Sequence, residues 1–221
     1  MASCVRARTS TSKSWHARVS DRASSDAHRF DVRVIAGSAR GRVLVGPPKV
    51  KTPGRPGIRP TSDLVRGVIF DMLDAMGADY TRVLDIYAGT GALGIEALSR
   101  GDGTADFVES DGTAAAIITT NLQRTKFEDR GRLQRLTAES APKRLAGPYT
   151  LVLADPPYYD EDALAAMQAI AASGLVDSAT VVVVEQPRST PVAEAMGPLP
   201  LYRSRRHGDT VVAIYAQEDE S

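Results

Sequence analysis

The chain has 221 residues, which suits one α/β domain with an appendage or at most two small domains, and its 43% hydrophobic content is enough to bury a core. No apolar run approaches the ~18 residues of a membrane span, and the single cysteine, Cys4, excludes an internal disulfide or a cysteine-based metal site. The formal net charge of +0 hides a polarity. Residues 1–66 carry 14 Lys and Arg against 4 Asp and Glu, while residues 67–221 carry 13 against 23. Such a split points either to a basic arm that meets a polyanion or to a solvated N-terminus.

Residues 1–30 are rich in Ser, Arg and Ala, with no hydrophobic period and no apolar stretch of the secretory kind. They read as a disordered extension, with an organelle transit peptide as the alternative, and a cytoplasmic protein is the default. From Val32, "VRVIAG" and "RVLVGPP" predict two short strands around a Gly-rich turn, a basic β-hairpin. "KVKTPGRPGIRP" is a Pro/Gly/Lys/Arg loop with no apolar face. Thr61 or Ser62 can then cap a helix to about Met76, with Leu64, Val65, Val68, Ile69, Met72 and Leu73 on one stripe.

Strands and helices alternate from there. "RVLDIY", "TADFVES", "GRLQRLTA", "YTLVLADPPY" and "ATVVVVEQ" read as strands, with helices between them. "LPLYRSRRHGDTVVAIYAQ" reads as an antiparallel pair around "HGD". The expectation is an α/β fold of Rossmann-like type. Its seven-stranded, mostly parallel sheet ends in a C-terminal antiparallel hairpin and carries helices on both faces. Three segments follow: residues 1–30 as an extension, 31–60 as a basic hairpin and loop, and 61–221 as the main domain.

"DIYAGTGALG" holds Gly89, Gly91 and Gly94 in G-x-G-x-x-G spacing, the fingerprint of a nucleotide-binding strand–turn–helix. Gly89, Thr90 and Gly91 form the turn, and the next helix offers free N–H groups. The glycines alone leave NAD and S-adenosylmethionine (SAM) equal, and Asp85 separates them. A carboxylate at the end of the first parallel strand repels a pyrophosphate. Beside a sulfonium and an ammonium group it is attractive, or it anchors the loop. Glu109, ending the second strand, can take two ribose hydroxyls through its two oxygens, with Ser110 beside it. Glu139 either reaches the adenine or starts a helix.

"ADPPY" follows the fourth strand, where ligands of such sheets bind. Pro156 and Pro157 stiffen the turn. Asp155 and the Pro156 carbonyl make a pair of acceptors for the two N–H bonds of a planar amine. Binding both localises the nitrogen lone pair for attack on an electrophilic methyl group. Tyr158 offers a flat face for a base.

"DPPY" after the fourth strand, with "D-x-Y-A-G-T-G" after the first, resembles the amino-methyltransferases of the class I SAM-dependent fold. Together with "RVIAGSARGRVLVGPP", "IRPTSDLVRGVIFDML", "VLDIYAGTGALGIEALSRG" and "HGDT", the chain from about Val32 to Gln217 resembles the RsmD-type enzymes. These methylate the exocyclic N2 of one guanine in bacterial 16S rRNA. The resemblance implies Asp155, Pro156, Pro157 and Tyr158 as the catalytic turn. It also implies SAM contacts at Asp85, Gly89, Gly91 and Glu109, with Thr61 near the cofactor. Residues 1–30 have no counterpart in that family, and the loop before Arg59 is longer than usual.

On this reading Arg33, Arg40, Arg42, Lys49, Lys51, Arg55 and Arg59 meet RNA phosphates. The partner is 16S rRNA, within a small ribosomal subunit or its assembly intermediate, and the chain acts as a monomer. No metal is required, and no membrane is involved. The rivals are a DNA adenine methyltransferase, a release-factor glutamine methyltransferase, an NAD oxidoreductase and a non-catalytic RNA-binding protein.

Overall fold

The computed structural model describes residues 32–46, 63–157 and 162–218. In chain order, β1 (Val32–Arg33) and β2 (Val43–Leu44) pair antiparallel, Val32 opposite Leu44, as the predicted hairpin. Helix α1 (Asp63–Ala75) leads into β3 (Arg82–Ile86), α2 (Ala92–Arg100), β4 (Thr104–Val108), α3 (Gly112–Thr125) and β5 (Gly131–Gln134). A 3-10 turn (Ala138–Ser140) and α4 (Ala141–Arg144) precede β6 (Leu151–Ala154), α5 (Ala163–Ala171) and β7 (Val181–Pro187). The chain closes with β8 (Ala195–Met196), β9 (Leu199–His207) and β10 (Thr210–Tyr215).

The main sheet runs β5-β4-β3-β6-β7-β10-β9-β8. Strands β5 to β7 are parallel, and β10 and β9 add antiparallel. The sheet therefore has eight strands, one more than expected. The addition is the two-residue β8, which folds back on β9 around Gly197. That glycine has φ 58°, a left-handed backbone that permits so tight a reversal. Two paired residues carry no period that a sequence can show.

The central strands are apolar on both faces, as a sheet covered by helices on each side requires. Val83, Leu153, Val183 and Val212 bury against α1, α2 and α3 on one face, while Leu84, Val152, Val184 and Ala213 bury against α4 and α5 on the other. Helix α3 begins where Asp111 accepts hydrogen bonds from Thr113 N and Ala114 N, both at 2.9 Å, a conventional N-cap. Among the described residues, no helix is long and apolar enough to cross a membrane.

The hairpin has too few residues for a core of its own, and it shares the domain's core. Val32, Val34, Ala39 and Leu44 bury in one cluster with α1, α2 and α3. Its turn lies directly on the end of α2. Ser38 N donates to Ser99 O at 2.7 Å, and a Cβ on Gly37 would fall 1.8 Å from that same oxygen.

The α1 stripe differs from the predicted one. Leu64 is 64% exposed, whereas Arg66 and Phe70 are fully buried. Arg66 earns its place through partners supplied by distant segments. It donates to the Arg33 carbonyl and to Asp63 and lies 3.8 Å from Glu96.

Candidate active site

The strand order reverses direction between β3 and β6: β4 and β5 lie to one side, β6 and β7 to the other. A crevice opens outside the carboxyl ends of the strands at such a switch point. Ile86 and Ala154, the last residues of β3 and β6, are register partners. Asp85 thus sits one residue inside one wall of the crevice, and Asp155 is the first residue beyond the other.

The loop after β3 turns through left-handed backbone at Tyr87 (φ 59°), Gly89 (φ 56°) and Gly91 (φ 77°). Asp85 is 1% exposed and accepts a hydrogen bond from Gly94 N at 2.8 Å. Gly94 lies in the first turn of α2, whose N–H groups have no partner within the helix. Of the two roles open to Asp85, the structure shows the anchor. A Cβ on Gly94 would fall 2.4 Å from the Phe107 ring and 3.0 Å from the Asp85 carboxylate. The third glycine therefore serves close helix–strand packing.

Glu109 binds backbone with both oxygens, accepting from Gly89 N at 2.8 Å and from Asp111 N at 2.7 Å. Each oxygen keeps a second lone pair for a ligand hydroxyl. Glu109, Ser110 and Glu139 line one cavity of ≈ 170 Å³ together with Tyr87 and Leu136. A drug-sized ligand fills about 300–1,000 Å³, so this space suits one base-sized part of a larger molecule. Its lining combines the apolar Val108, Leu136 and Ala138 with the carboxylates of Glu109 and Glu139. Thr90 is held from behind, where its carbonyl accepts from the Asn121 amide at 2.9 Å.

The electrostatics are those of crowded anions. The Asp85 carboxyl is pushed well above the ordinary carboxylate range, chiefly by burial. The Gly94 N–H opposes that rise, and the negative charges of Asp155 and Glu109 add to it. Among the described residues no three His, Cys, Asp or Glu side chains converge as metal ligands. A bound cation lowers the cost of such crowding. A pyrophosphate would add to the repulsion.

Asp155 is partly exposed, Pro156 buried and Pro157 exposed. Tyr158 and Thr61 lie outside the described residues, as do Lys49, Lys51, Arg55 and Arg59. Arg33 and Arg40 are exposed on the hairpin. Arg42 is half-buried and donates to the Arg124 carbonyl at 2.6 Å, at the C-terminal end of α3, where a cation also meets the negative end of the helix dipole.

Two buried polar residues behind the site escaped the sequence reading. Glu96, fully buried on α2, accepts from Ile35 N at 2.8 Å and Ala36 N at 2.9 Å and pairs with Arg66 and Arg100. Its only signal in the sequence is a lone acid inside the apolar helix "ALGIEALSR". Asn121, also fully buried, accepts from Val45 N at 2.7 Å and donates to Val45 O at 3.1 Å as well as to Thr90 O. One side chain thus ties the end of the hairpin to the glycine loop.

Comparison with known proteins identifies the family. Over 188 residues the chain is 35% identical to "Putative rRNA methyltransferase YlbH" of Bacillus subtilis, spanning 83% of this chain and 98% of that protein. It is 36% identical over 127 residues to "Ribosomal RNA small subunit methyltransferase D" of Escherichia coli, spanning 58% of this chain and 60% of that protein. A solved structure of "Putative methyltransferase yhhF" from Escherichia coli superposes with a TM-score of 0.68 at 29% identity, covering 85% of this chain and 99% of that one. The family described as "Conserved hypothetical protein 95" matches residues 32–216, and the chain belongs to that family, the RsmD-type methyltransferases.

Proposed function

We propose that the protein is a SAM-dependent methyltransferase that modifies the exocyclic N2 amine of a guanine in 16S rRNA. One observation carries the reading. Asp155, the first residue beyond β6, stands at the switch point, and its charge, with that of Glu109, acts on the buried Asp85 carboxyl. Names of relatives at 35% and 36% identity supply the substrate class.

The residues present fit a cationic adenosyl cofactor. Glu109 suits the ribose hydroxyls, and the cavity beyond it suits a base. Asp85 stiffens the loop and contributes negative potential from behind. When bound, the cofactor supplies an electrophilic methyl group. Asp155 and the Pro156 carbonyl accept the two N–H bonds of the target amine. That keeps the nitrogen lone pair out of the ring, and Asp155 takes the proton the amine gives up. Catalysis then rests on orienting two reactants in a rigid turn. Tyr158 supplies the stacking face on this reading, and Thr61 belongs to the cofactor's surroundings.

The segment 31–60 is the RNA-contacting arm, with Arg33 and Arg40 exposed for phosphate. The chain works as a monomer in the cytoplasm, on the small ribosomal subunit or an assembly intermediate. The test is mass mapping of 16S rRNA from a deletion strain. One guanine should lose its N2 methyl group, regain it with the wild-type gene and fail to regain it with Asp155→Ala. An unchanged methylation map would sink the reading.

A further inference from the structure

Outside the N-terminal arm the most basic stretch is "RSRRH", Arg203 to His207 on β9, and the cofactor site makes no use of it. Strand β9 pairs with β10 along its length, whereas β8 covers only Leu199 and Pro200. Leu201 N also donates to Glu194 O at 2.9 Å, and beyond it β9 is a sheet edge that no described residue pairs with. Charge on an edge guards against pairing with another chain, and that is the bland account of these residues. It does not account for their height in the sheet.

The registers fix that height. Ala154 pairs with Val184, Glu185 with Val212, and Val212 with Arg205. One step on, Val211 pairs with both Gln186 and Arg206. Arg205, Arg206 and His207 are therefore level with Asp155, Pro156 and Pro157. Arg188, just past β7, joins them, its N–H donating to Asp209 O at 2.8 Å in the β9–β10 turn. Three strand spacings of ~4.8 Å place Arg205 about 14–15 Å from the catalytic turn.

The chemistry of the patch suits phosphate. Arg188, Arg203, Arg205 and Arg206 are exposed and form no ion pair with a described residue. Arg203 lies over the Tyr202 ring at 5.5 Å. Arg203 and Arg205 alternate onto the α1 face of the sheet and Arg206 onto the other, so the charge wraps the edge. Guanidinium groups offer forked donors to phosphate oxygens.

Resting on the function proposed above, we infer that Arg188, Arg203, Arg205 and Arg206 form a second phosphate-contact surface. It holds the RNA flanking the target nucleotide on the side of the catalytic turn opposite the cofactor cavity. The target base is then presented between two surfaces, one for the cofactor and one for the backbone.

The test compares wild type, Arg205→Ala/Arg206→Ala and Arg205→Lys/Arg206→Lys in salt-titrated binding to protein-free 16S rRNA and to small subunits from a deletion strain. The alanine pair should lower the slope of log affinity against log salt by about 1.4–1.8, the worth of two phosphate contacts, on both substrates. SAM affinity should stay at the wild-type level, and the lysine pair should keep most of the slope. A wild-type slope in the alanine pair, with methylation intact in the wild type, overturns this inference alone. A defect on subunits but not on protein-free rRNA also overturns it, because the contact is then with ribosomal protein. If the wild type neither binds nor methylates RNA, the proposed function fails and takes this inference with it.

Discussion

Asp85 and Glu96 are both buried, both bind backbone N–H groups and both act on α2, but their surroundings are opposite. Glu96 is neutralised by Arg66 and Arg100 and ties the hairpin to the helix through Ile35 and Ala36. Asp85 has one backbone donor, Gly94, and shares its neighbourhood with Asp155 and Glu109. A buried acid surrounded by cations is a structural clamp. A buried acid surrounded by acids is costly in the free protein, and its cost falls when a cation binds. The difference tells a scaffold residue from a site residue without reference to any ligand.

The comparison predicts unequal responses to mutation. Glu96→Ala should be the most damaging to the fold. It strands the buried Arg66 guanidinium and two N–H groups, and breaking a buried pair from one side costs about 3–5 kcal/mol. Denaturant unfolding measures this, and a loss below about 1 kcal/mol would mean that Glu96 is not a clamp.

Asp85→Asn should respond in the opposite sense. Its folded carboxyl titrates above the ordinary range. Between the unfolded value of ~3.9 and that raised value, the folded protein therefore holds a proton that the unfolded chain has released. Stability falls as pH rises through this window and stays low above it. The amide removes that cost, so Asp85→Asn should be more stable than wild type at neutral pH. It should bind SAM about tenfold or more weakly, as expected for a lost charged interaction of roughly 1.5–3 kcal/mol. Thermal melts and SAM titration check the two halves, and a variant that loses stability at pH 7 would break the comparison.

Asn121→Ala tests the link between the two regions. Leaving Val45 and Thr90 without their buried partner costs about 1–3 kcal/mol of stability. The freed glycine loop should lower SAM affinity a few-fold. If stability drops and SAM affinity does not move, Asn121 serves only the hairpin.

How much of this could be read from the chain depended on how local the signal was. The strand–helix alternation, the glycine loop, Glu109 and the Asp155 turn each sit in a contiguous motif, and the structure brings Asp85, Glu109 and Asp155 to one crevice. Arg66 and Leu64 exchanged expected places because the partners of Arg66 come from Arg33, 33 residues away, and from Glu96. Helical periodicity in α1 cannot register them. The two-residue β8 was too short to read. That Arg205 is level with Asp155 follows only from the strand order and three registers, so "RSRRH" carries no such signal in the sequence.

The central claim is that the crevice is built for an organic cation. Calorimetric titration of SAM and of NAD into the free protein between pH 5 and pH 7 tests it most directly. The account predicts that SAM binds and NAD does not. SAM affinity should rise with pH, with proton release on binding, because the cation favours ionised Asp85, and Asp85→Asn should flatten both trends. Tighter binding of NAD than of SAM, or a SAM affinity that falls as pH rises, would contradict it.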